Sequence, residues 1–333
     1  MKKAYIILLL AMCLSLMAFP LSAMADEGET CSITVSAGDA VLAEEYAAAN
    51  VVADIYRIAD ADKLPAVDAE DYTLLPLYSE LTIPGADDET GWRTFASEAA
   101  ELALTEGTPI VTGATLDTVI SADDAGESLA PGLYLVAARG SELAEYTAAA
   151  EDGIATLART DVWEYSFTPA LVSLPAVSTE GGPEYSASTT LKSARTRRTG
   201  ALELVKELMT WEASEPATFV FSVEAVLDGE TVFSDVSAMT FTGAGRRSLR
   251  LEGLPVGAVV TASEIYSGAH YAPVTTDAVQ TAAISVEEAQ VVFVNDYSGT
   301  PTGGHGIVNR FYHDGETWIW TQDADSGAGG AAS

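Results

Sequence analysis

Three segments in the C-terminal half of the chain each place one reactive polar side chain in an alternating apolar row. These side chains are Lys206, Glu264 and Asn295. A strand sends alternate side chains to one face, so all three are predicted to point into a protein core. Burying a charged or unpaired polar group costs several kcal/mol. We therefore expect the three groups to be partnered by one another.

The chemistry available to such a trio is amide exchange between side chains. In an apolar site the pKa of a lysine falls and that of a carboxyl group rises, so a neutral amine can lie beside a protonated acid. The amine of Lys206 would attack the carboxamide carbon of Asn295. Glu264 would polarise that carbonyl and transfer protons to the leaving ammonia. The product would be a Lys-Asn isopeptide bond that ties the first strand of a domain to its last.

The same residues also fit a purely structural interpretation. Lys206 could extend its amine to the surface and pair with a partly buried Glu264, while Asn295 caps a strand end. If the strand register were shifted, Glu224 or Glu252 would be the acid instead. The alternation alone leaves both interpretations open.

Composition indicates an exported, acidic protein. The chain has 333 residues, and residues 1–25 are typical of a secretory signal peptide, with Lys2 and Lys3 before an apolar run and a small-residue cleavage site. The formal net charge is −33, which argues against binding to nucleic acid and to anionic lipid. No later apolar stretch is long enough to insert the mature chain into a membrane. Of the two cysteines, Cys13 lies in the signal peptide and leaves Cys31 alone, so no intramolecular disulfide is expected.

The rest of the chain predicts a mainly all-β fold with tandem immunoglobulin-like sandwiches. Residues 26–175 predict a first β domain that contains a helical insertion over Trp92–Glu106. Residues 176–199 are poor in large apolar side chains and predict a linker. Residues 200–298 show regularly spaced strands and predict a second β-sandwich. Residues 299–333 predict a hairpin around Asp314-Gly315 and a disordered tail.

The second domain resembles the B-type repeat of collagen adhesins (CnaB-like). The resemblance is carried by Lys206, by Leu254-Pro255-Val256-Gly257 ahead of Glu264, and by Phe293-Val294-Asn295-Asp296-Tyr297. Such domains build pilins and surface adhesins of Gram-positive bacteria. The resemblance implies that Lys206 and Asn295 form a self-catalysed isopeptide bond, with Glu264 as the catalytic acid.

The first domain resembles the N-terminal domain of sortase-assembled pilins. The matching segments are Leu129–Val136 and Phe167–Pro175, although the early strand Ile33-Thr34-Val35 lacks a lysine, which puts a second isopeptide bond in doubt. The resemblance implies that a lysine after this domain joins one subunit to the next, and Lys192 stands in that place. The surrounding motif departs from the family pattern, so a solvated linker lysine is the alternative. Lys63 lies in a polar turn and is expected to have no specific role.

These observations predict a pilus or cell-surface adhesion subunit. Its expected partners are other pilin or surface subunits and a host or matrix ligand, and its expected location is the extracellular surface or cell wall of a Gram-positive bacterium. No cofactor or metal site is predicted, and no turnover enzyme is expected, since the usual catalytic motifs are missing. No Leu-Pro-x-Thr-Gly motif followed by an apolar span is found, so the sequence does not predict how the chain is attached. The alternative is a secreted binding module, in which Trp318 and Trp320 would stack on a sugar.

Overall fold

Strands predominate in the protein. The structure is a computed structural model, and it describes residues 30–142, 146–149, 153–212, 215–274, 278–299, 307–313 and 318–324. The chain divides into two compact units, Met1–Thr196 and Arg197–Ser333. The described residues contain two α-helices, both in the first unit. This composition confirms the mainly all-β fold class.

The first unit combines short sheets with two helices. The helices are α1 (Ala40–Ala48) and α2 (Glu89–Thr105). The strands are β1 (Ser32–Ser36), β2 (Val51–Ala61), β3 (Tyr72–Leu74), β4 (Val111–Ala114), β5 (Val119–Ile120), β6 (Gly132–Gly140), β7 (Tyr146–Ala149), β8 (Gly153–Arg159), β9 (Trp163–Phe167), β10 (Ala170–Leu174), β11 (Ala176–Val177), β12 (Pro183–Glu184), β13 (Ser186–Thr190) and β14 (Ser193–Arg197).

The largest sheet of the first unit has five strands, in the order β10-β6-β2-β3 with β4 also beside β2. Its central strands β2 and β6 run antiparallel. They are joined by a bidentate ion pair, in which the Arg139 guanidinium donates to both carboxylate oxygens of Asp54 at 2.6 and 3.0 Å. Both side chains are nearly buried, so the pairing offsets the cost of removing two charges from water.

The predicted helix is present as α2, and a second helix was not predicted. α2 begins at Glu89 because the carboxylate of Asp88 accepts the backbone N–H of Gly91 at 2.9 Å. Asp39 caps α1 in the same way. α1 is short and alanine-rich, so its sequence carries little amphipathic pattern. It buries mainly Tyr46, which packs edge-on against Tyr165.

The predicted linker over residues 176–199 is wrong. That segment contains four strands, β11 to β14, and the start of a fifth. β13 pairs in parallel with β1, from Ser32 opposite Ser186 to Ser36 opposite Thr190, and β14 joins β9. An edge strand is held by backbone hydrogen bonds and needs few large apolar side chains, so its polar composition is typical of a linker as well. Tyr185, Ala187 and Leu191 of this segment pack, partly buried, against the core of the first unit.

The second unit contains two four-stranded sheets. Its strands are β15 (Thr199–Leu208), β16 (Ala217–Leu227), β17 (Glu230–Phe241), β18 (Gly245–Pro255), β19 (Val259–Tyr266), β20 (Tyr271–Pro273), β21 (Val279–Ala283), β22 (Ala289–Tyr297), β23 (Ile307–His313) and β24 (Trp318–Ala324). Sheet I has the order β18-β15-β22-β20, and sheet II has the order β17-β16-β19-β21. One continuous core contains inward residues of both sheets, including Leu204, Phe293, Phe219 and Val260.

Local turns and the C-terminal hairpin follow from the sequence. Asp228 and Gly229 both have positive φ, 53° and 87°, which suits the tight turn between β16 and β17. β23 and β24 pair antiparallel, as the predicted hairpin requires. The predicted signal peptide (1–25), the predicted joint (300–306), the predicted hairpin turn at Asp314-Gly315 and the predicted disordered tail (325–333) lie outside the described residues.

Candidate functional site

Lys206 and Asn295 lie on neighbouring parallel strands of sheet I. Strand β15 pairs with β22 so that Lys206 is opposite Phe293 and Leu208 is opposite Asn295. The two polar residues are thus one step apart along the same inner face. Both are 0% exposed. The alternating apolar rows place them there, because the neighbours Leu204 and Phe293 must be buried.

Glu264 reaches the same point from the opposite sheet. It lies near the end of β19 in sheet II, opposite Phe221 on β16. Its side chain is 2% exposed. The structure therefore brings all three predicted residues together between the two sheets.

The three side chains form one closed hydrogen-bonded group. The Lys206 amine donates to the carboxamide oxygen of Asn295. Its Nζ lies 3.3 Å from Oε2 and 3.2 Å from Oε1 of Glu264. The carboxamide nitrogen of Asn295 donates to Glu264 Oε1 at 2.8 Å. One carboxyl oxygen therefore contacts both the amine nitrogen and the amide nitrogen.

This geometry favours one of the two roles predicted for Glu264. The acid contacts the amide nitrogen, whereas the carbonyl oxygen of Asn295 faces Lys206. A proton carried by Glu264 would pass from the amine to the amide nitrogen. Polarisation of the carbonyl by Glu264 has no counterpart in these contacts.

Aromatic rings pack around Lys206, Glu264 and Asn295 and shield them from solvent. The Lys206 Nζ lies 4.5 Å from the ring centroid of Phe219. Phe221 and Phe293 pack against each other, with centroids 5.2 Å apart. Phe219 was not predicted as part of the site. Its inward position could be read from the alternation of β16, but nothing in the sequence shows that it faces Lys206 across the core.

Burial shifts both titratable groups toward their neutral forms. Desolvation lowers the pKa of Lys206 to about 8, although the neighbouring Glu264 opposes the shift. Desolvation also raises the pKa of Glu264, with Lys206 and the hydrogen bond from Asn295 opposing it. A neutral amine beside a protonated acid is the state that nucleophilic attack on an amide requires.

The two alternative acids are excluded from this group by their positions. Glu224 is exposed and accepts a hydrogen bond from Thr231 at 2.7 Å. Glu252 is also exposed and pairs with Arg250. The register that places Glu264 inward is therefore the one the structure contains.

Lys192 and Lys63 lie in the first unit, away from any such group. Lys192 is exposed between β13 and β14, and its carbonyl oxygen accepts the backbone N–H of Thr168 at 3.2 Å. Lys63 pairs with Asp71, which also accepts two backbone N–H groups. Lys192 is thus an exposed residue whose backbone is anchored to Thr168.

Two sequence candidates remain, a cysteine in the first unit and a pair of tryptophans in the C-terminal hairpin. Cys31 is buried and unbonded to another cysteine, and burial raises the pKa of its thiol. Trp318 and Trp320 belong to β24, opposite His313 and Phe311 in register, but their side chains lie outside the described part of the structure. Among the described residues, no helix is both long and apolar enough to span a bilayer.

Comparison with known proteins gives a domain match and several structural likenesses. Residues 202–298 match a family described as Domain of unknown function (DUF5979). No curated protein is detectably similar in sequence to this chain.

The structural likenesses are distant. GBS52, the minor pilin of the Gram-positive pathogen Streptococcus agalactiae, has 16% identity over 76% of this chain and 85% of its own, with a TM-score of 0.23. An adhesin from Mobiluncus mulieris, which contains disulfide, isopeptide and ester cross-links, has 13% identity over 74% of this chain and 84% of its own, with a TM-score of 0.24. The pilus-presented adhesin Spy0125 (Cpa) has 14% identity over 48% of this chain, which spans only 40% of that adhesin, with a TM-score of 0.25. The solved structures that resemble this chain thus include a minor pilin and two adhesins.

Proposed function

We propose that this chain is a structural or adhesive subunit of a Gram-positive pilus or cell surface, and that an internal isopeptide bond between Lys206 and Asn295 cross-links its second unit. The observation that supports the proposal is the contact of one Glu264 oxygen with both reacting nitrogens, at 3.2 and 2.8 Å. The sequence resemblance supplies the biological setting. In that setting the chain acts outside the cell, beside other surface subunits and a host or matrix ligand.

The reaction balances without any cofactor. The neutral amine of Lys206 attacks the carboxamide carbon of Asn295, and a tetrahedral centre forms. The protonated Glu264 delivers its proton to the amide nitrogen, and its carboxylate then takes a proton from the former amine nitrogen. The carbon–nitrogen bond of the carboxamide breaks, ammonia leaves, and an amide joins the two side chains. Glu264 ends in its starting form, and each chain reacts once without turnover.

The proposed bond would protect the unit against force. β15 and β22 are the strands by which the chain enters and leaves the two-sheet body, and Lys206 and Asn295 are 89 positions apart. Tension applied along the chain would pass from one strand directly to the other through the bond. The strands between would carry none of it, which suits a subunit that must hold a cell to a surface without a disulfide.

The mass of the mature chain, residues 26–333, tests the proposal. We expect it to be lighter than its sequence by one ammonia molecule, and we expect Lys206→Met and Asn295→Ala to have their full sequence masses. Lys63→Met, which removes a lysine outside the site, is the matched control and should keep the loss. A parent of full mass would show that Lys206 and Glu264 are a buried ion pair instead.

Trypsin then locates the bond. Trypsin cannot cut after an acylated lysine, so residues 199–246 should remain one peptide, joined to residues 251–310. Recovery of the separate peptides 199–206 and 251–310 would contradict the assignment even if the total mass were low.

Lys192 is the residue we propose as the amine through which subunits are joined. It is exposed on a turn whose backbone is anchored to Thr168. In a Gram-positive host that produces the protein with its sortase, Lys192→Arg should abolish high-mass ladders in cell-wall extracts, and Lys63→Arg should leave them intact. Ladders that persist in Lys192→Arg would exclude this role and leave the internal cross-link unaffected.

A further inference from the structure

The outer faces of the two sheets in the second unit differ in charge. On sheet I, Glu203 and Glu207 of β15 face Arg250 and Arg246 of β18 in register. On sheet II, the outward positions of all four strands are almost entirely valine, threonine, serine and alanine. Their one charged residue is Glu224, which is bonded to Thr231.

Sheet II also concentrates exposed apolar side chains. Val236, Val259, Tyr266 and Val279 all lie on its outer face, and Val236 and Val279 are 60% and 53% exposed. The register places Val236 of β17 opposite Ser222, Ser222 opposite Ser263, and Ser263 opposite Val279. This row therefore crosses all four strands without a charge, and it has an exposed valine at each end.

We propose that the outer face of sheet II binds the same face of a second copy of this chain. The argument is electrostatic. A chain with a net charge of −33 repels its own copies over most orientations. A face with one acid is where two copies approach at least electrostatic cost. Two flat β-branched faces can pack against each other as the two sheets of a sandwich do, about 10 Å apart.

The area of the outer face of sheet II determines how strong the proposed association can be. Four strands about 4.8 Å apart and about six residues long cover roughly 400 Å². A stable interface of standard size buries about 800 Å² on each partner. The association is therefore weak in dilute solution, and it becomes effective where many copies are held close together on one surface. It does not depend on the cross-link, since Lys206 and Asn295 are buried between the two sheets and are not part of the outer face of sheet II.

Sedimentation equilibrium of the mature chain at increasing concentration tests this surface. From about 10 μM to about 1 mM, the weight-average mass should rise from monomer toward dimer. Screening of the acidic surfaces by added salt should strengthen the association. The double variant Val236→Glu with Val279→Glu adds two acids to the face beside Glu224. It should lower the association constant by about tenfold or more.

The matched control is Val274→Glu. Val274 has nearly the exposure of Val279, 52% against 53%, but it lies outside sheet II, so its substitution adds elsewhere the charge that Val279→Glu alone adds to the face. It should change the association constant less than about twofold. A chain that stays monomeric at 1 mM and high salt overturns the proposal, because some other partner or segment would then cover the face. Equal weakening by Val274→Glu and by the single variant Val279→Glu overturns it too, since net charge alone would explain the effect. Circular dichroism confirms that each variant is folded before it is measured.

Discussion

The side chain of Glu264 lies between two nitrogen atoms, one of which must lose protons in the proposed reaction while the other must gain one. The amine of Lys206 must lose protons, and the amide nitrogen of Asn295 must gain one before it leaves. Oε1 contacts both. An uncharged group of the same shape would keep the packing and one hydrogen bond but could not carry the proton.

Replacement of Glu264 by glutamine separates these contributions. Glu264→Gln should fold and should retain its ammonia, so its intact mass should equal its sequence mass. Glu224→Gln makes the same chemical change at an exposed glutamate and should show the loss of ammonia seen in the parent. A Glu264→Gln chain that cross-links as completely as the parent would remove Glu264 from the mechanism.

The depressed pKa of Lys206 predicts a specific dependence of stability on pH in a chain that cannot react. In Asn295→Ala, the unfolded amine keeps its proton up to its ordinary pKa of 10.5, while the folded amine loses it above about 8. Between these values the unfolded state binds more protons, so the free energy of unfolding should increase as the pH rises. Below about pH 8 this dependence should vanish, because both states then hold the proton.

Urea denaturation of Asn295→Ala at several pH values measures this dependence. The double variant Lys206→Met with Asn295→Ala has no amine at the site and should lack the increase. Parallel curves for the two proteins would show that the pKa of Lys206 is not lowered in the folded state.

At the scale of elements, the start of β15 is constrained by close backbone contact. A Cβ on Gly200 would lie 1.9 Å from the carbonyl oxygen of Ser285 and 3.0 Å from a methyl group of Ile284. The pairing with β18 is irregular at the same point, between Gly200 and Leu202. Because β15 carries Lys206, a shift here would move the amine.

Gly200→Ala should therefore destabilise the second unit by about 2 kcal/mol or more, since neither backbone can move freely. It should also slow the appearance of the cross-linked mass. Gly243→Ala is the control, because a Cβ there meets nothing within 4 Å. Denaturation and time-resolved intact mass measure the two effects, and equal behaviour of the two variants would show that the contact at Gly200 is relieved at no cost.

At the scale of the whole molecule, the stability of each unit depends on its core and on any cross-link within it, because the one described cysteine, Cys31, is not in a disulfide. A cross-link that closes a loop of 89 positions restricts the unfolded chain, and the chain-entropy estimate for this length is about 4 to 5 kcal/mol. The bond would lie in the second unit alone, since Lys206 and Asn295 both belong to it.

Loss of the bond should therefore lower the free energy of unfolding of the second unit by about 4 to 5 kcal/mol. Scanning calorimetry of the parent, Glu264→Gln and Asn295→Ala should show similar losses in the two variants and an unchanged transition for the first unit. A Glu264→Gln protein as stable as the parent would show that the bond adds nothing beyond the core packing.

The inward residues of the candidate site and the strands of the second unit could be predicted from the sequence, whereas parts of the first unit could not. The three apolar rows predicted that Lys206, Glu264 and Asn295 point inward, because burial of the apolar residues in each row leaves only one choice of face for the polar one. The strands of the second unit were found for the same reason. Residues 176–199 were assigned to a linker because edge strands need no apolar row, and α1 was missed because its alanines give little contrast between its faces.

The sequence by itself determined which side chains enter the core, since the period of a strand and the cost of exposing apolar surface act locally. Only the tertiary structure decided which of them meet. The parallel pairing of β15 with β22 brings Lys206 beside Asn295, and the stacking of sheet II on sheet I brings Glu264 and Phe219 to them. Pairing and stacking depend on contacts between residues far apart in the chain, which no local pattern encodes.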